Sequence, residues 1–230
     1  MGFCSIFEVS QPTRFFLLTL YFFLKMQITL HQVSKRYRYD WIFKGLDYQL
    51  VAGSRVAVTG PNGSGKSTLM KVLSGHLSPT KGKLEFSFEN KKIAPDEVYR
   101  QVSYAAPYIE LVEEFTLTEA LDFHQKFKPL LPGLRTADVL DLLAFPKAAD
   151  KQIRHFSSGM KQRLKLALAC CSASPLLLLD EPTTNLDAQG VDWYLALTER
   201  FLGQRTVVVA SNVAVDYGFC GEVIDILKYK

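Results

Sequence analysis

The sequence predicts an α/β fold built around a parallel sheet, and three observations support this. An apolar strand near 54–59 leads through a glycine-rich loop into a helix near 66–75. Four consecutive leucines at 176–179 are typical of a parallel strand covered on both faces. After the glycine-rich loop, helical and extended segments alternate along the chain, as they do in α/β proteins.

The first half of the chain is mostly extended. Alternating or apolar patterns predict strands near 26–33, 46–51, 54–59, 82–88 and 101–105, and Pro79 and Gly82 mark a turn before the fourth strand. From about 116 to 150 the pattern becomes helical, and Thr118 and Asp138 are candidate N-caps. Breaks are expected at Pro129, Pro132-Gly133 and Pro146, so this part is predicted to be a small helical lobe inserted into the sheet topology. A helix near 187–202, a strand at 206–211 and an edge strand at 222–227 follow the leucine strand.

The composition is that of one globular domain. Of 230 residues, 48% are hydrophobic and 22% charged, and the net charge is +4. The basic residues are scattered rather than clustered, so the sequence does not indicate a nucleic-acid partner. The four cysteines form no Cys-x-x-Cys pair and the four histidines show no metal-binding spacing, which leads us to expect reduced thiols in a cytosolic setting.

The first 25 residues do not fit the rest of the domain. Their apolar run at 15–24 is shorter than the roughly 20 residues that span a bilayer. Lys25 and Met26 follow where a signal peptide would need small residues at its cleavage site. We hypothesise that Met26 is the true start, because a clean alternating strand begins there; a membrane-surface anchor or an apolar arm packed on the domain are the alternatives.

The glycine-rich loop has the chemistry of a phosphate-binding loop. Its glycines allow positive φ angles, so that successive N–H groups can converge on one anion. Lys66 places a cation against the outer phosphates, Ser67 offers a hydroxyl to Mg²⁺, and the helix that follows directs its positive end at the ligand. The predicted nucleotide-binding residues are Gly60, Pro61, Asn62, Gly63, Ser64, Gly65, Lys66, Ser67 and Thr68.

Two adjacent acids, Asp180 and Glu181, follow the leucine strand, where parallel strands present ligand-binding groups. Asp180 is placed to hold Mg²⁺ together with Ser67, and Glu181 can activate the water that attacks the γ-phosphate. The alternative is a solvated acidic turn. A second helix start, at Ser157, Ser158 and Gly159, is another candidate anion site, although a serine cap is often only structural.

In their order along the chain, these motifs resemble the nucleotide-binding domain of the ATP-binding cassette (ABC) family, over residues 26–230. Phe156-Ser157-Ser158-Gly159-Met160 is similar to the family signature, in a form associated with export-type ATPases, and Thr184-Asn185-Leu186-Asp187 resembles the D-loop. Tyr37 lies where the family stacks an aromatic ring on adenine, but Tyr39 and Trp41 are close by in the sequence.

The resemblance implies a P-loop NTPase (RecA-like) core with an antiparallel β subdomain and an inserted α-helical subdomain at about 108–170. It implies binding of ATP and Mg²⁺ and a head-to-tail homodimer or heterodimer of ATPase domains. In that dimer Ser157 and Gly159 of one copy close over the ATP held by Lys66 of the other. The lobe and the loop at 104–113 are expected to dock on an integral membrane permease, placing the chain in the cytoplasm, peripherally on the inner face of the cell membrane.

The chain departs from the family pattern at two positions. Pro107 stands where the family usually has a glutamine that senses Mg²⁺ and water, and Asn212 stands where a histidine usually follows the last core strand. Asn212 can still hydrogen-bond the γ-phosphate but carries no charge. Glu110 could partly replace the glutamine, or it could simply be an exposed loop residue. Because Lys66, Ser67, Asp180 and Glu181 are intact, ATP hydrolysis is expected, at a rate that these two departures could slow.

The first functional hypothesis is therefore the ATPase subunit of a membrane transporter, an exporter by its signature, with a separate permease. The second is a non-transport ATPase acting as a slow switch or assembly factor on a protein partner. A kinase or GTPase is a third, but the signature segment argues against it and no Asn-Lys-x-Asp motif for guanine occurs.

Overall fold

The computed structural model describes residues 26–89, 91–145 and 147–230. The expectations for residues 1–25 and for a helix break at Pro146 lie outside the described residues. Within them, the predicted α/β class is confirmed: one antiparallel and one parallel sheet pack together, and helices cover the parallel sheet.

The antiparallel sheet has the strand order β2-β1-β4-β5. Its strands are β1 (Met26–Tyr37), β2 (Asp40–Leu50), β4 (Lys81–Phe88) and β5 (Lys91–Ile93). The predicted strand at 46–51 is only the end of β2, which starts at Asp40 directly after a tight hairpin in which Tyr37 pairs with Asp40. The start of β2 was not predicted because the residues at the hairpin tip are polar. β5 was not predicted because its sequence is rich in lysine, which has a low strand propensity.

The parallel sheet has the order β6-β7-β8-β3-β9. Its strands are β3 (Arg55–Thr59), β6 (Val102–Ala105), β7 (Leu176–Asp180), β8 (Thr206–Ala210) and β9 (Glu222–Asp225). Every residue of β7 and β8 is buried, because apolar layers cover both faces of these central strands. β9 is shorter than predicted, since the chain turns into a 3-10 helix at Ile226–Tyr229.

Apolar layers cover the two faces of the parallel sheet. On one face, helix α1 (Lys66–Leu73) shares a core with the antiparallel sheet through Leu69, Met70 and Phe43. The other face packs on helices α4 (Ser158–Cys171) and α5 (Ala188–Phe201), where Tyr194 and Leu166 are fully buried. A short helix, α6 (Ala214–Tyr217), follows β8.

A third apolar core lies in a helical lobe formed by α2 (Leu117–Gln125), α3 (Thr136–Leu143) and α4. The cap of α2 is Thr116 rather than the predicted Thr118: its hydroxyl accepts from the Glu119 N–H at 3.2 Å, in a capping box. Thr118 instead donates to the carbonyl of Ala149. Asp138 is not an N-cap either; it is the third residue of α3 and accepts from the backbone N–H of Arg135.

The two sheets and the lobe are joined by segments that the sequence did not predict, such as a 3-10 helix at Pro95–Gln101. In the described part of the chain, no helix is both long enough and apolar enough to cross a membrane.

Candidate functional site

The glycine-rich loop joins β3 to α1 and adopts the conformation that its glycines predict. Gly60, Gly63 and Gly65 have φ angles of 144°, 76° and 107°. A Cβ atom on Gly60 would lie 2.7 Å from a methyl of Ile226, and one on Gly65 would lie 2.6 Å from a methyl of Ile42. Both positions therefore need glycine for space as well as for backbone conformation.

Lys66 is buried inside this loop, where its ammonium donates to the carbonyls of Gly60 at 2.8 Å and Pro61 at 3.3 Å. The Ser64 hydroxyl is buried without a hydrogen-bond partner in the described structure. No side chain caps the start of α1, which leaves its first N–H groups to an external ligand. A cation, an unpaired hydroxyl and a helix start thus converge, as an anion site requires.

Asp180 ends β7 and is almost fully buried. Its Oδ2 accepts from the hydroxyls of Tyr108 at 3.1 Å and Tyr104 at 3.4 Å, whereas its Oδ1 is buried with no hydrogen-bond partner among the described residues. Burial raises the pKa of Asp180, and the nearby hydroxyls of Ser67, Tyr108 and Tyr104 oppose that rise. An unpaired, buried carboxylate oxygen with Ser67 beside it suits a divalent cation.

Glu181 follows Asp180 with φ at 46°, a left-handed conformation that a non-glycine residue rarely adopts. Its N–H donates to the carbonyl of Ala210 at the end of β8, which helps to fix this turn. The side chain is half-buried. A strained backbone held in place by a neighbouring strand is typical of a functional position.

The signature segment lies at the start of α4. The Ser157 hydroxyl accepts from the Met160 N–H at 3.2 Å, which confirms the predicted cap, while Ser157 and Ser158 remain exposed. A Cβ atom on Gly159 would lie 3.0 Å from the carbonyl of Asn185, so the signature and the D-loop are in close contact. Together they line a cavity of about 290 Å³ that also includes Phe145 and Arg163.

Two side chains in that cavity also have structural contacts. Asp187 caps α5, because its carboxylate accepts from the Gly190 N–H at 2.8 Å. The Arg163 guanidinium lies 5.2 Å from the ring centre of Phe145 and 4.6 Å from that of Trp193, and its Nε has no partner in the described structure. Burial lowers the pKa of Arg163.

The structure does not bring all the predicted site residues together. Within the described part of one chain, no hydrogen bond or ion pair joins residues 157–159 to residues 60–68. Asn212 is exposed after β8, and it follows Ser211, whose hydroxyl bonds Asp216 at 2.5 Å. Thr183, from the turn after Glu181, bonds the other Asp216 oxygen at 2.6 Å, so Asp216 ties the two loops together.

The three candidate aromatic residues for stacking differ in their surroundings. Tyr37 is about half exposed at the end of β1, with the Lys35 ammonium 5.5 Å from its ring centre. Tyr39 is almost fully exposed, in the hairpin. The ring of Trp41 lies within 6 Å of three cations, those of Arg36, Lys44 and Lys81. Of the three rings, Tyr37 thus combines an open face with a fixed position on a strand.

Sequence reasoning missed Tyr104, Tyr108 and Asp216. The two tyrosines approach Asp180 because β6 pairs in parallel with β7, which sets Tyr104 beside Leu178. The sequence did contain a signal for Tyr104: it is a polar residue near the end of β6, the strand beside β7, which ends in an acid. Asp216 gave no such signal, because its partners lie 5 and 33 residues away.

A protein-family model described as ABC transporter matches residues 43–184, more than half of the chain. The chain belongs to the ABC transporter family. Among curated relatives of this ABC protein, YxlF of Bacillus subtilis, an uncharacterised ABC transporter ATP-binding protein, is 30% identical over 82% of the chain and 63% of its own length. The Nod factor export ATP-binding protein I of Burkholderia thailandensis is 34% identical over 70% of the chain and 54% of its own length. The cytochrome c biogenesis ATP-binding export protein CcmA of Ruegeria pomeroyi is 30% identical over 82% of the chain and 85% of its own length.

The ABC chain thus spans between a half and two thirds of the first two of these relatives and most of the third. Among solved structures, the dimeric ATP-binding cassette MJ0796 bound to ADP and Pi matches with a TM-score of 0.74 at 23% identity, over 86% of the chain and 93% of that protein. A putative ABC transporter ATP-binding protein from Pyrococcus furiosus matches with a TM-score of 0.73 at 20% identity, over 89% of the chain and 99% of that protein. These likenesses confirm the ABC ATPase fold.

Proposed function

We propose that this ABC protein is the ATP-binding and ATP-hydrolysing subunit of an exporter and powers a separate membrane permease. The observation that carries the proposal is the pairing of the phosphate loop around Lys66 with the buried, unpaired Oδ1 of Asp180. The relatives named for Nod factor export and cytochrome c biogenesis export support the transport assignment over a slow switch or assembly factor.

In this proposal the loop at 60–68 holds the phosphates of ATP. Its N–H groups and Lys66 bind the anion, and the Ser64 hydroxyl, unpaired in the described structure, gains a partner. Tyr37 stacks on the adenine with its exposed face. Asn212 is proposed to contact the γ-phosphate, and Asp187, which lines the signature cavity, is proposed to act with the signature residues.

Ser67 and Asp180 are the residues that would hold Mg²⁺. Mg²⁺ is usually bound by one or two protein groups together with the substrate phosphates. When bound, the ion neutralises charge on the phosphate oxygens. Glu181 then orients the attacking water and takes its proton, from a backbone position that its unusual φ angle defines. The signature residues Ser157, Ser158 and Gly159 act on the ATP of a second copy.

The permease is proposed to dock at the loop of residues 104–113. An open groove of about 640 Å³, lined by Tyr99, Tyr104, Tyr108 and Ile109, lies beside this loop. On the neighbouring lobe, the rings of Phe123 and Phe127 are exposed and in contact with each other, 5.1 Å between ring centres. Exposed aromatic surface beside a groove favours a protein partner. Docking there would hold the chain peripherally on the cytoplasmic face of the membrane.

The test is steady-state phosphate release by the full-length protein with Mg²⁺ and ATP. Glu181→Gln keeps the size of the side chain but removes its basicity, so we expect a loss of about 100-fold or more in kcat. Glu114→Gln, the same change at an exposed loop residue, serves as the matched control and should retain the wild-type rate. Equal rates for wild type and Glu181→Gln would refute the role of Glu181, and absence of hydrolysis in the wild type would refute the ATPase assignment.

A further inference from the structure

Three groups hold Tyr108, and they come from three parts of the fold. Its hydroxyl lies 3.1 Å from Oδ2 of Asp180 on β7 and is in hydrogen-bonding contact with the Tyr104 hydroxyl. The Lys71 ammonium on α1 lies 4.4 Å from the centre of its ring. Lys71 follows Ser67 by four residues, so both project from the same face of α1. Tyr108 is therefore fixed against the phosphate-loop helix and the acidic strand end at once.

The contact with Asp180 is one-sided. Both tyrosine hydroxyls approach Oδ2, whereas Oδ1 is left buried without a partner in the described structure. A phenol is neutral at physiological pH and donates its proton to a carboxylate. Donors that occupy one carboxylate oxygen fix the rotation of the group and leave the other oxygen available to a cation.

Pro107 itself cannot perform this task. A proline side chain has no hydrogen-bonding group, and the Pro107 carbonyl already accepts from the Lys165 ammonium on α4 at 2.6 Å. That bond fixes the backbone immediately before Tyr108. The loop is thus held from the lobe, while the next side chain reaches the metal-binding carboxylate.

We propose that Tyr108 is a positioning residue for the Mg²⁺ site, acting through Asp180 in place of the glutamine that Pro107 has replaced. With Tyr104, it holds Asp180 so that Oδ1 is free for the ion that Ser67 also binds. This inference rests on the proposed function, because it requires that the loop at 60–68 binds a nucleotide together with Mg²⁺. In this inference, the hydroxyl of Tyr108 links the Mg²⁺ site to the helical lobe, where the family usually has the side-chain amide of a glutamine.

The test measures how much Mg²⁺ strengthens nucleotide binding, without using turnover. The affinity of the full-length protein for the fluorescent, non-hydrolysable analogue mant-AMP-PNP is measured in EDTA and in excess Mg²⁺. Removing the hydroxyl in Tyr108→Phe should reduce the gain from Mg²⁺ by about 10-fold and leave the affinity in EDTA at the wild-type value. Tyr99→Phe is the matched control: Tyr99 lines the same groove, but its hydroxyl contacts Arg100 instead of Asp180, so its gain should equal that of the wild type.

The outcomes separate this inference from the function on which it rests. If the wild type binds the analogue neither in EDTA nor in Mg²⁺, the proposed function fails and this inference fails with it. If the wild type gains affinity from Mg²⁺ and Tyr108→Phe gains as much, only the role of Tyr108 is overturned. Three other outcomes would also overturn it. Tyr108→Phe and Tyr99→Phe could lose the same amount of the Mg²⁺-dependent gain in affinity, or Tyr108→Phe could bind more weakly in EDTA with an unchanged gain. The third is a wild type whose affinity does not increase with Mg²⁺.

Discussion

At the level of single residues, the site depends on backbone conformations that most side chains disfavour. Glu181 adopts a left-handed φ angle at a cost of roughly 1–2 kcal/mol, which its N–H contact with Ala210 helps to sustain. Gly60 and Gly65 combine positive φ angles with neighbours too close for a Cβ atom. In the proposed function, these residues set the positions of the base that activates water and of the N–H groups that bind phosphate.

Two glycines of the same loop give a direct test of this requirement. Gly65→Ala should weaken nucleotide binding and lower stability by about 1–3 kcal/mol, because the new methyl would lie 2.6 Å from Ile42 at a φ of 107°. Gly63→Ala is the comparison: its φ of 76° gives the same kind of backbone strain, but no atom lies within 4 Å of the added Cβ, so its losses should be smaller. Thermal unfolding and nucleotide affinity of both variants would check this, and similar losses in the two would contradict it.

At the level of elements, polar contacts from α2 and from the residues just after it attach the helical lobe to the core. Just after α2, the Lys128 ammonium donates to the carbonyls of Tyr99 and Val102, and burial lowers the pKa of Lys128 to about 8. His124, within α2, bonds the Ser172 hydroxyl at 2.7 Å. Burial, with a smaller effect of Lys128, lowers the pKa of His124 to about 4. The attachment therefore contains a histidine that is neutral in the folded state.

That histidine makes stability depend on pH. The ordinary pKa of histidine is 6.5, and that of His124 in the folded state is about 4. Between these two pH values the unfolded chain binds a proton that the folded chain does not, so the free energy of unfolding falls as the pH is lowered. The full effect is about 3 kcal/mol, and this group adds nothing further below pH 4. Urea unfolding of His124→Gln should lack this part of the pH dependence, whereas His155→Gln, at an exposed position, should retain it. A pH profile unchanged by His124→Gln would contradict the assignment.

Elements with strong local patterns were predicted well, and those that depend on distant partners were not. The helix start at Ser157 follows from neighbouring residues alone. The true cap of α2, Thr116, could not be separated from Thr118 by sequence, because both are threonines and only the packed lobe directs Thr118 to Ala149. The short β5 forms because it pairs with β4, whatever its own propensity.

At the level of the whole molecule, the phosphate loop and the signature segment are separate parts of the chain's surface. Residues 60–68 and the signature residues 157–159 share no hydrogen bond within the described chain, and each lies at a surface open to a ligand or partner. This arrangement supports the proposed head-to-tail dimer, in which each ATP lies between the loop of one copy and the signature of the other.

Mixing two inactive variants tests this dimer. Lys66→Ala disables the phosphate loop and Ser158→Arg blocks the exposed signature without removing the Ser157 cap. Each alone should be inactive. An equal mixture should recover roughly a quarter of the wild-type phosphate release, because about half of the dimers are mixed and each of those holds one complete site. No recovery on mixing would argue against the head-to-tail arrangement.

The permease surface can be tested on the same scale. Val112→Asp places a charge on an exposed apolar residue of the loop at 104–113, and copurification of a membrane protein from detergent extracts of the native host should be lost. Val223→Asp, an exposed valine on β9, is the matched control and should leave copurification intact. Loss in both variants, or in neither, would count against docking at residues 104–113.

The phosphate loop, the buried leucine strand with its acidic end, and the signature helix could all be found in the sequence, because each depends on residues close together in the chain. The contact of Tyr108 with Asp180 could not, since it joins residues 72 positions apart. It exists because β6 pairs with β7 and directs the loop after β6 over the acidic strand end. The cations around Trp41, and the link of two loops by Asp216, likewise depend on strand pairing and packing rather than on local sequence.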